Sequence, residues 1–327
     1  MLRISRSNFN NIDLIKVCMA VLVVATHTNL FSVISSIEWR EMLTNALAIK
    51  VPFFFAASGF LVWYKIWNAT KQEKLSRLRK WLSKTLRLYI VWTLIYLPYA
   101  IYGFWLDGLS FPKAFLVYSR NILLVGQNFW SWPLWYLLGM LVAGIIIYLM
   151  VRLDFKARTM YIIAALFALV GVVINHMHDI GYFNIYYRLF ETTRNGFFEG
   201  LPYIMIGVAV ASNGVVSSKK RLFILLLCSF FIHMFGAKLA TFFVIYSLFS
   251  LVLQFDLGPR KDDLYRNFRL TSTIIYFIHM LWVGLVTLLY PGLAPYWMFL
   301  IVLLLSFATA YLVIHNKETA VVKFCFR

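Results

Sequence analysis

Long apolar runs are the feature that most constrains how this chain can fold. The 327 residues contain about ten such runs, several of them close to 20 residues long, separated by short polar segments. A helix of about 20 apolar residues crosses the hydrocarbon core of a bilayer, whereas the strands of a membrane β-barrel alternate apolar and polar side chains. We therefore predict an all-α, polytopic integral membrane protein with about ten transmembrane helices.

The predicted spans follow the apolar runs. They are 12–33, 42–66, 85–106, 134–151, 159–174, 197–211, 222–235, 239–255, 271–290 and 296–315. Between the third and fourth spans, segment 107–133 is broken by Gly108, Pro112, Gly126 and Pro133, which favours an interfacial or re-entrant element there.

The distribution of Lys and Arg predicts the orientation. A net charge of +18 would suggest a nucleic-acid partner in a soluble protein, but 62% hydrophobic residues exclude a soluble fold. If the ten spans alternate, 23 of the 31 basic residues fall on one side and seven on the other. The basic side is the cytoplasmic one, so we expect cytoplasmic termini, a location in the inner (cytoplasmic) membrane, a membrane-lipid environment and no nucleic-acid partner.

The domain organisation is expected to be simple. We interpret residues 1–327 as one transmembrane domain, without a cleavable signal peptide. Three cysteines do not suggest a disulfide scaffold or a thiolate cluster. His176 and His178 are a weak metal signal without further obvious ligands, so we expect no metal.

Ionisable residues in the first predicted span require an explanation, because each costs about 2.5–3.5 kcal/mol on insertion scales. Asp13 and Lys16 are i, i+3 neighbours that can pair. Lys16 and His27 are eleven positions apart, which places them about 20° from one common face with an axial separation of about 16 Å. One interpretation is structural: Lys16 snorkels to the interface and His27 bonds a neighbouring helix. The other is chemical, with His27 as general base or nucleophile.

Several motifs in order resemble the acyltransferase-3 family of bacterial membrane O-acyltransferases, over essentially the whole chain. Lys16 and His27 match the basic residue, ten positions and histidine of that family's first helix. The stretch 51–61, which reads VPFFFAASGFL and contains Ser58, matches its second-helix signature.

Later motifs continue the resemblance. Lys84 and Arg87 are similar to the paired basic residues that open the family's third helix, although the first position is more usually Arg. Trp135 and Tyr136 resemble its Leu-Trp-Tyr motif, and His279 ends a late Tyr/His motif. The stretch 193–202 also resembles the membrane domain of serine racemases from glycopeptide-resistance operons, but we expect no racemase domain and no SGNH hydrolase-like domain here.

The resemblance implies transfer of an acyl group, most simply acetyl, from cytoplasmic acyl-CoA to a hydroxyl of a cell-surface carbohydrate, glycolipid or peptidoglycan-type acceptor. His27 is the candidate catalytic base, and an acyl-histidine intermediate is the alternative. Lys16, Lys84 and Arg87 are candidate donor ligands, although a positive-inside signal explains much of that basic run. The oxyanion donor stays open among Ser58, Tyr89 and Tyr136.

On the predicted outer side, charged residues offer a patch for a polar acceptor or simply a solvated loop. They are Arg188, Glu191, Arg194 and Glu199. His279 lies deep in its span and is either a helix-linking hydrogen-bond partner or part of the site. The alternative function, from another class, is a carrier or sensor domain for a small polar solute such as an amino acid.

Overall fold

The chain is helical, without a strand, throughout the residues that the computed structural model describes, namely 9–177, 180–215, 218–255, 257 and 262–326. The α-helices in these ranges are α1 (Phe9–His27), α2 (Ile37–Ala46), α3 (Lys50–Trp63), α4 (Lys71–Leu106), α5 (Phe111–Arg120), α6 (Leu134–Arg152), α7 (Ala157–His176), α8 (Gly181–Phe190), α9 (Leu201–Asn213), α10 (Lys219–Met234), α11 (Lys238–Val252), α12 (Asp262–Leu289), α13 (Pro295–His315) and α14 (Ala320–Phe326). The predicted all-α class is confirmed.

Seven helical segments of the described chain are long and apolar enough to cross a membrane, which agrees with a multi-pass membrane protein. They are Phe9–His27, Ile37–Trp63, Lys71–Leu106, Leu134–Arg152, Ala157–His176, Asp263–Leu289 and Pro295–His315. The second of these joins α2 to α3 through a 3-10 turn at Leu47–Ile49.

The three remaining predicted spans coincide with shorter helices. They are α9, α10 and α11, with 13, 16 and 15 residues. The hairpin between the last two is tight, because only three residues separate Met234 from Lys238 and Gly236 turns the chain with a φ of 86°. The number of membrane crossings therefore stays a prediction.

Helix α4 begins much earlier than residue 85, where the apolar run predicted its start. Thr70 and Glu73 form a capping box, in which each side chain accepts a hydrogen bond from the other residue's backbone N–H. The resulting 36 residues span about 54 Å, well beyond a hydrocarbon core of about 30 Å. Its first turns carry exposed basic side chains, so the sequence pattern marked the apolar part of the helix and not its whole length.

The described residues divide into two compact units. The first contains the residues up to Trp67 and those from Tyr203 to Phe326, and the second contains Asn68–Pro202. In the first unit, α1 packs along α12 and also contacts α3 and α13. Helices α1 and α3 are antiparallel, since the ring of Phe9 at the start of α1 lies 5.5 Å from that of Phe60 near the end of α3.

The second unit is built on α4 and α6, which pack against each other. A π-helical turn at Gly196–Gly200 packs on α6 and α7. Within segment 107–133, the ten-residue helix α5 runs into a second π-helical turn at Asn121–Val125, and neither is long enough to cross a bilayer. Helices α5, α8 and α14 were not predicted from the sequence.

Candidate functional site

Two histidines from distant parts of the chain meet in the first unit. His27 ends α1 and His279 lies within α12, and their ring centroids are 5.3 Å apart with an interplanar angle of 35°. His279 is fully buried, while His27 is partly exposed. Two imidazoles in contact, one of them reachable from outside, are suited to proton transfer.

The hydrogen bonding of His279 fixes which ring nitrogen is basic. Its Nδ1 lies 3.0 Å from the carbonyl oxygen of Ile275, one turn earlier in the same helix. A carbonyl oxygen only accepts, so the hydrogen belongs on Nδ1. Nε2 then carries the lone pair, and it is buried without a hydrogen-bond partner among the described residues. Although the sequence suggested a helix-linking hydrogen bond, Nδ1 bonds within its own helix.

A row of aromatic rings connects this histidine pair to Lys16. The Nζ of Lys16 lies 5.9 Å from the ring centroid of Phe54 in α3. That ring is 5.4 Å from Tyr276, which in turn is 6.3 Å from His279. Residues from three of the sequence motifs therefore form one continuous wall in the first unit, with a cation at one end and imidazoles at the other.

Asp13 has a partner that the sequence did not suggest. Its buried carboxylate accepts from Nε of Arg269 at 3.1 Å and from Nη2 at 2.7 Å. The sequence had offered Lys16 as its counter-ion and had counted Arg269 only as an orientation signal. The guanidinium fork matches a carboxylate in two-pronged geometry, which explains this pairing.

Lys50 is a functional candidate that sequence reasoning missed, because it was counted among the outer basic residues. It opens α3, is only 7% exposed, and donates to Oγ1 of Thr26 at 2.8 Å. Thr26 precedes His27 in α1, so the two side chains leave the helix at nearly the same depth, about 100° apart. A lysine inside the predicted apolar run 42–66 is the signal that would have found it.

The second-helix signature owes part of its pattern to close packing. A Cβ on Gly59 would lie 2.2 Å from the backbone oxygen of Ile204, and one on Gly207 would lie 2.0 Å from that of Ala56. Helices α3 and α9 therefore touch backbone to backbone. Ser58, the oxyanion candidate of this motif, is partly buried next to that contact.

The predicted donor ligands of the third helix lie in the second unit. Lys84 is exposed on α4, and Arg87, one turn later, is partly buried. Tyr89 follows on the same helix, but its hydroxyl donates to the carbonyl oxygen of Ile122 at 2.5 Å. That bond already engages the proton that an oxyanion would need, which weakens Tyr89 as the oxyanion donor.

Trp135 and Arg194, which belong to different motifs, are brought together in the second unit. The guanidinium carbon of Arg194 lies 6.0 Å from the Trp135 ring centroid, at the distance of a cation–π contact. Tyr136, the next residue in α6, is buried. Arg194 itself is exposed, so the pair presents a charged and aromatic surface.

The π-helical turn Gly196–Gly200, which contains Glu199, follows Arg194 in the chain. Asn195 caps the turn by accepting from the backbone N–H of Phe197 and Phe198 at 3.0 and 3.1 Å. Its amide donates to the hydroxyl of Tyr186, whose pKa burial raises above the ordinary value. A π-helical turn is a rare conformation that often occurs at functional sites.

Arg188 and Glu191, the other charged residues predicted on the outer side, are both bound by Arg120 at the end of α5. Arg120 forms an ion pair with Glu191 and donates to the carbonyl oxygen of Arg188 at 3.1 Å. These contacts hold the loop after α8 in place.

The weak metal signal of the sequence rested on His176 and His178. His176 is exposed, and its Nδ1 lies 3.2 Å from the carbonyl oxygen of Val172, while His178 lies outside the described residues.

Comparison with known proteins gives one family and three relatives. The sequence profile of a family described as "Acyltransferase domain" matches residues 9–315. A serine/alanine racemase of Enterococcus gallinarum is 25% identical over 308 residues, which cover 89% of this chain and 40% of that protein. Two amino-acid racemases of Enterococcus faecalis are 27% identical over 285 residues and 26% identical over 148 residues, covering 79% and 45% of this chain and 37% and 20% of theirs. The chain thus spans about two fifths of the length of the first two relatives. No solved structure matches the chain.

Proposed function

The chain belongs to the acyltransferase-3 family, and on that premise we propose that it transfers an acyl group, most simply acetyl, from cytoplasmic acyl-CoA to a hydroxyl of a cell-surface carbohydrate, glycolipid or peptidoglycan-type acceptor. The observation that carries the proposal is the contact between His27 and His279 at the end of the aromatic wall that begins at Lys16. Family membership supplies the reaction class, and this arrangement supplies groups for it.

The orientation rests on helix directions as well as on the basic residues. Helices α1 and α12 are parallel, because Asp13 meets Arg269 near their starts and His27 meets His279 further along. Parallel spanning helices must be separated by an odd number of crossings. The four long segments between them are even in number, so if all four cross, one or all three of α9, α10 and α11 must cross as well. Eight and ten crossings both meet this condition and both put the two termini on one side. We propose ten because the apolar runs of the sequence number ten, with the basic side in the cytoplasm.

The proposed chemistry is attack of the acceptor hydroxyl on the thioester carbonyl carbon. His27 removes the hydroxyl proton as the new C–O bond forms, and the C–S bond then breaks with return of the proton to the departing CoA thiolate. The Nε2 of His279 offers a second lone pair next to it, held in place by the bond from Nδ1 to Ile275. In the alternative mechanism, the imidazole of His27 attacks the thioester carbonyl carbon, and the C–S bond breaks as CoA leaves with the imidazole proton. The acceptor hydroxyl then attacks the acyl-imidazole, and its proton returns to the imidazole as the C–N bond breaks.

The donor phosphates are proposed to bind basic side chains on the cytoplasmic side. Lys16 lies in the first unit, and Lys84 and Arg87 lie in the second. The match of Lys16, Lys84 and Arg87 to the basic positions of the family motifs is what supports this assignment.

The acceptor is proposed to contact the surface formed by Trp135, Arg194 and Glu199. An exposed guanidinium over an indole ring suits a polar ring with hydroxyls, which stacks on the aromatic face and hydrogen-bonds the charged groups. The contact between Arg194 and Trp135 favours this role, because a charged loop that is only solvated by water would not need an aromatic partner.

A second candidate function is favoured by the names of the relatives, which are racemases that act on amino acids. A membrane domain that carries or senses a small polar solute such as an amino acid would also place polar groups inside a helical unit. Acyl-CoA binding separates the two functions, because a carrier or sensor has no use for it.

The test is acyl-CoA-dependent thermal stabilisation of the purified protein, followed by release of free CoA with extracted envelope glycans as acceptor. We expect stabilisation by acetyl-CoA and acceptor-dependent release. No stabilisation by acetyl-CoA, with stabilisation by serine instead, would replace the acyltransferase proposal with the carrier or sensor.

A further inference from the structure

The ammonium group of Lys50 is buried within the first unit with one hydrogen-bond acceptor. Lys50 is 7% exposed, and its Nζ donates to Oγ1 of Thr26 at 2.8 Å. The hydroxyl of Thr26 donates in turn to the carbonyl oxygen of Leu22 at 2.9 Å, which leaves an oxygen lone pair aimed at the lysine. The helix α1 thus orients a neutral acceptor toward a buried cation.

The charge of Lys50 is not compensated within the described part of the chain. No described carboxylate forms an ion pair with it, and an ammonium has three N–H donors, of which Thr26 takes one. An unpaired buried cation is costly, and a snorkelling lysine would place its ammonium in the headgroup region and be exposed. Asp13, another buried charge of this unit, forms an ion pair with Arg269. Lys50 differs from Asp13 in this respect.

We propose that Lys50 binds an anionic oxygen group, a carboxylate or a phosphate, carried by the hydroxyl-bearing acceptor. The ligand brings the counter-charge that the chain does not supply, and it accepts the remaining N–H donors. Thr26 is adjacent to His27, so an anion held at Lys50 lies at the level of the imidazoles. The buried lone pair of His279 Nε2 is the acceptor that this proposal assigns to the hydroxyl of the same ligand.

The class of ligand is therefore a hydroxylated anion and not a neutral sugar. The role of the hydroxyl rests on the proposed function, whereas the need for a negative charge rests on Lys50 alone. An ammonium binds carboxylates and phosphates alike, so the structure defines the charge of the group and the experiment identifies its source.

The experiment compares three sugars that share one ring. N-acetylglucosamine is neutral, N-acetylmuramic acid adds a carboxylate, and N-acetylglucosamine 1-phosphate adds a phosphate. Binding of each to the purified full chain is measured by titration calorimetry without acyl-CoA. We expect at least one charged sugar to bind about tenfold or more tightly than the neutral one, the scale of a buried charge pair. The charged sugar that gains identifies the group.

Variants assign that preference to Lys50. Lys50→Met removes the charge and keeps the length of the side chain, and we expect it to abolish the preference. Lys50→Arg should keep it. The matched control is Lys113→Met, which removes an exposed lysine of α5 and should leave the preference unchanged. Because Lys50→Met removes an uncompensated buried charge, its melting temperature should be no lower than that of the wild type.

Two results would overturn the proposal. One is a wild-type protein in which neither charged sugar binds more tightly than the neutral sugar, a measurement that needs no variant. The other is a folded Lys50→Met protein that retains the preference. CoA release is measured separately. A protein that prefers the charged sugars but releases no CoA would contradict the acyltransferase function and keep the anion site. A protein that releases CoA normally but shows no preference would contradict the anion site and keep the acyltransferase function.

Discussion

Arg269 holds both carboxylate oxygens of Asp13 across 256 residues of sequence. This ion pair ties the beginning of α12 to that of α1 and favours the parallel packing in which His27 meets His279. From Asp13 to His27 the axial distance is about 21 Å, against about 15 Å from Arg269 to His279. The long arginine side chain spans the difference, so the pair is suited to set the relative position of the two helices.

Removal of Arg269 should destabilise the protein more than removal of the charge on Asp13. Arg269→Ala leaves a carboxylate that is 2% exposed without compensation, at a cost of about 3–5 kcal/mol, whereas Asp13→Asn leaves a half-exposed guanidinium that water can solvate. The double variant should recover part of the loss. Melting temperatures in detergent give the order.

The control for this pair is on the same helix. Arg266→Ala breaks an exposed contact with Asp263 and should cost less than about 1 kcal/mol. If Asp13→Asn were the more damaging of the two changes, the ion pair would not be what stabilises this end of α1.

His27→Ala should keep acyl-CoA binding and lower transfer per folded molecule by about 100-fold or more, since a general base is removed, and by more if His27 is the nucleophile. CoA release and CoA-dependent stabilisation are measured on the same preparation. His176→Ala, which changes an exposed histidine of α7, is the control. Near-normal turnover of His27→Ala would end its catalytic assignment.

His279→Asn tests the basic nitrogen of the buried histidine. The asparagine amide can still donate to the carbonyl oxygen of Ile275, as Nδ1 does, but it has no counterpart of Nε2. We expect a loss of transfer per folded molecule of about tenfold or more, beyond any loss of stability from the smaller side chain. A purely structural role for His279 predicts normal transfer per folded molecule.

The basic residues should affect the donor and not the chemical step. Lys84→Ala/Arg87→Ala and Lys16→Ala should each raise the Kd for acyl-CoA, because contacts with phosphate are lost, while Lys16→Arg should be partly tolerated. Lys156→Ala removes an exposed basic residue before α7 and serves as the control for general charge. Unchanged affinity in the Lys84/Arg87 variant would reduce that run to an orientation signal.

Gly207→Ala should prevent folding, because the added methyl group would lie 2.0 Å from the backbone oxygen of Ala56 and 2.6 Å from the nitrogen of Phe60. Backbone atoms of two packed helices cannot yield to it cheaply. Gly181→Ala is the matched control, since nothing lies within 4 Å of its added Cβ. The yield of monodisperse protein after detergent extraction distinguishes the two. Equal yields would contradict the close contact of α3 with α9.

The sequence by itself determined the features that depend on local composition and helical period. Apolar runs gave the all-α membrane class, and the spacing from Lys16 to His27 gave a stripe on one helix face. The apolar pattern did not predict the start of α4, because the capping box at Thr70 and Glu73 extends that helix beyond its apolar run. Residue motifs suggested Trp135 and Arg194 separately, without indicating that the two side chains touch.

Tertiary structure decided which distant groups became neighbours. Helical periodicity states which residues share a face, but it carries no information about which other helix will cover that face. For this reason the pattern indicated the nearby Lys16 for Asp13 but not the distant Arg269, and Lys50 was counted as a surface charge although packing buries it beside Thr26. The contact between His27 and His279 likewise exists only because α1 and α12 pack in parallel, with side chains 252 positions apart brought to the same depth by interhelical packing.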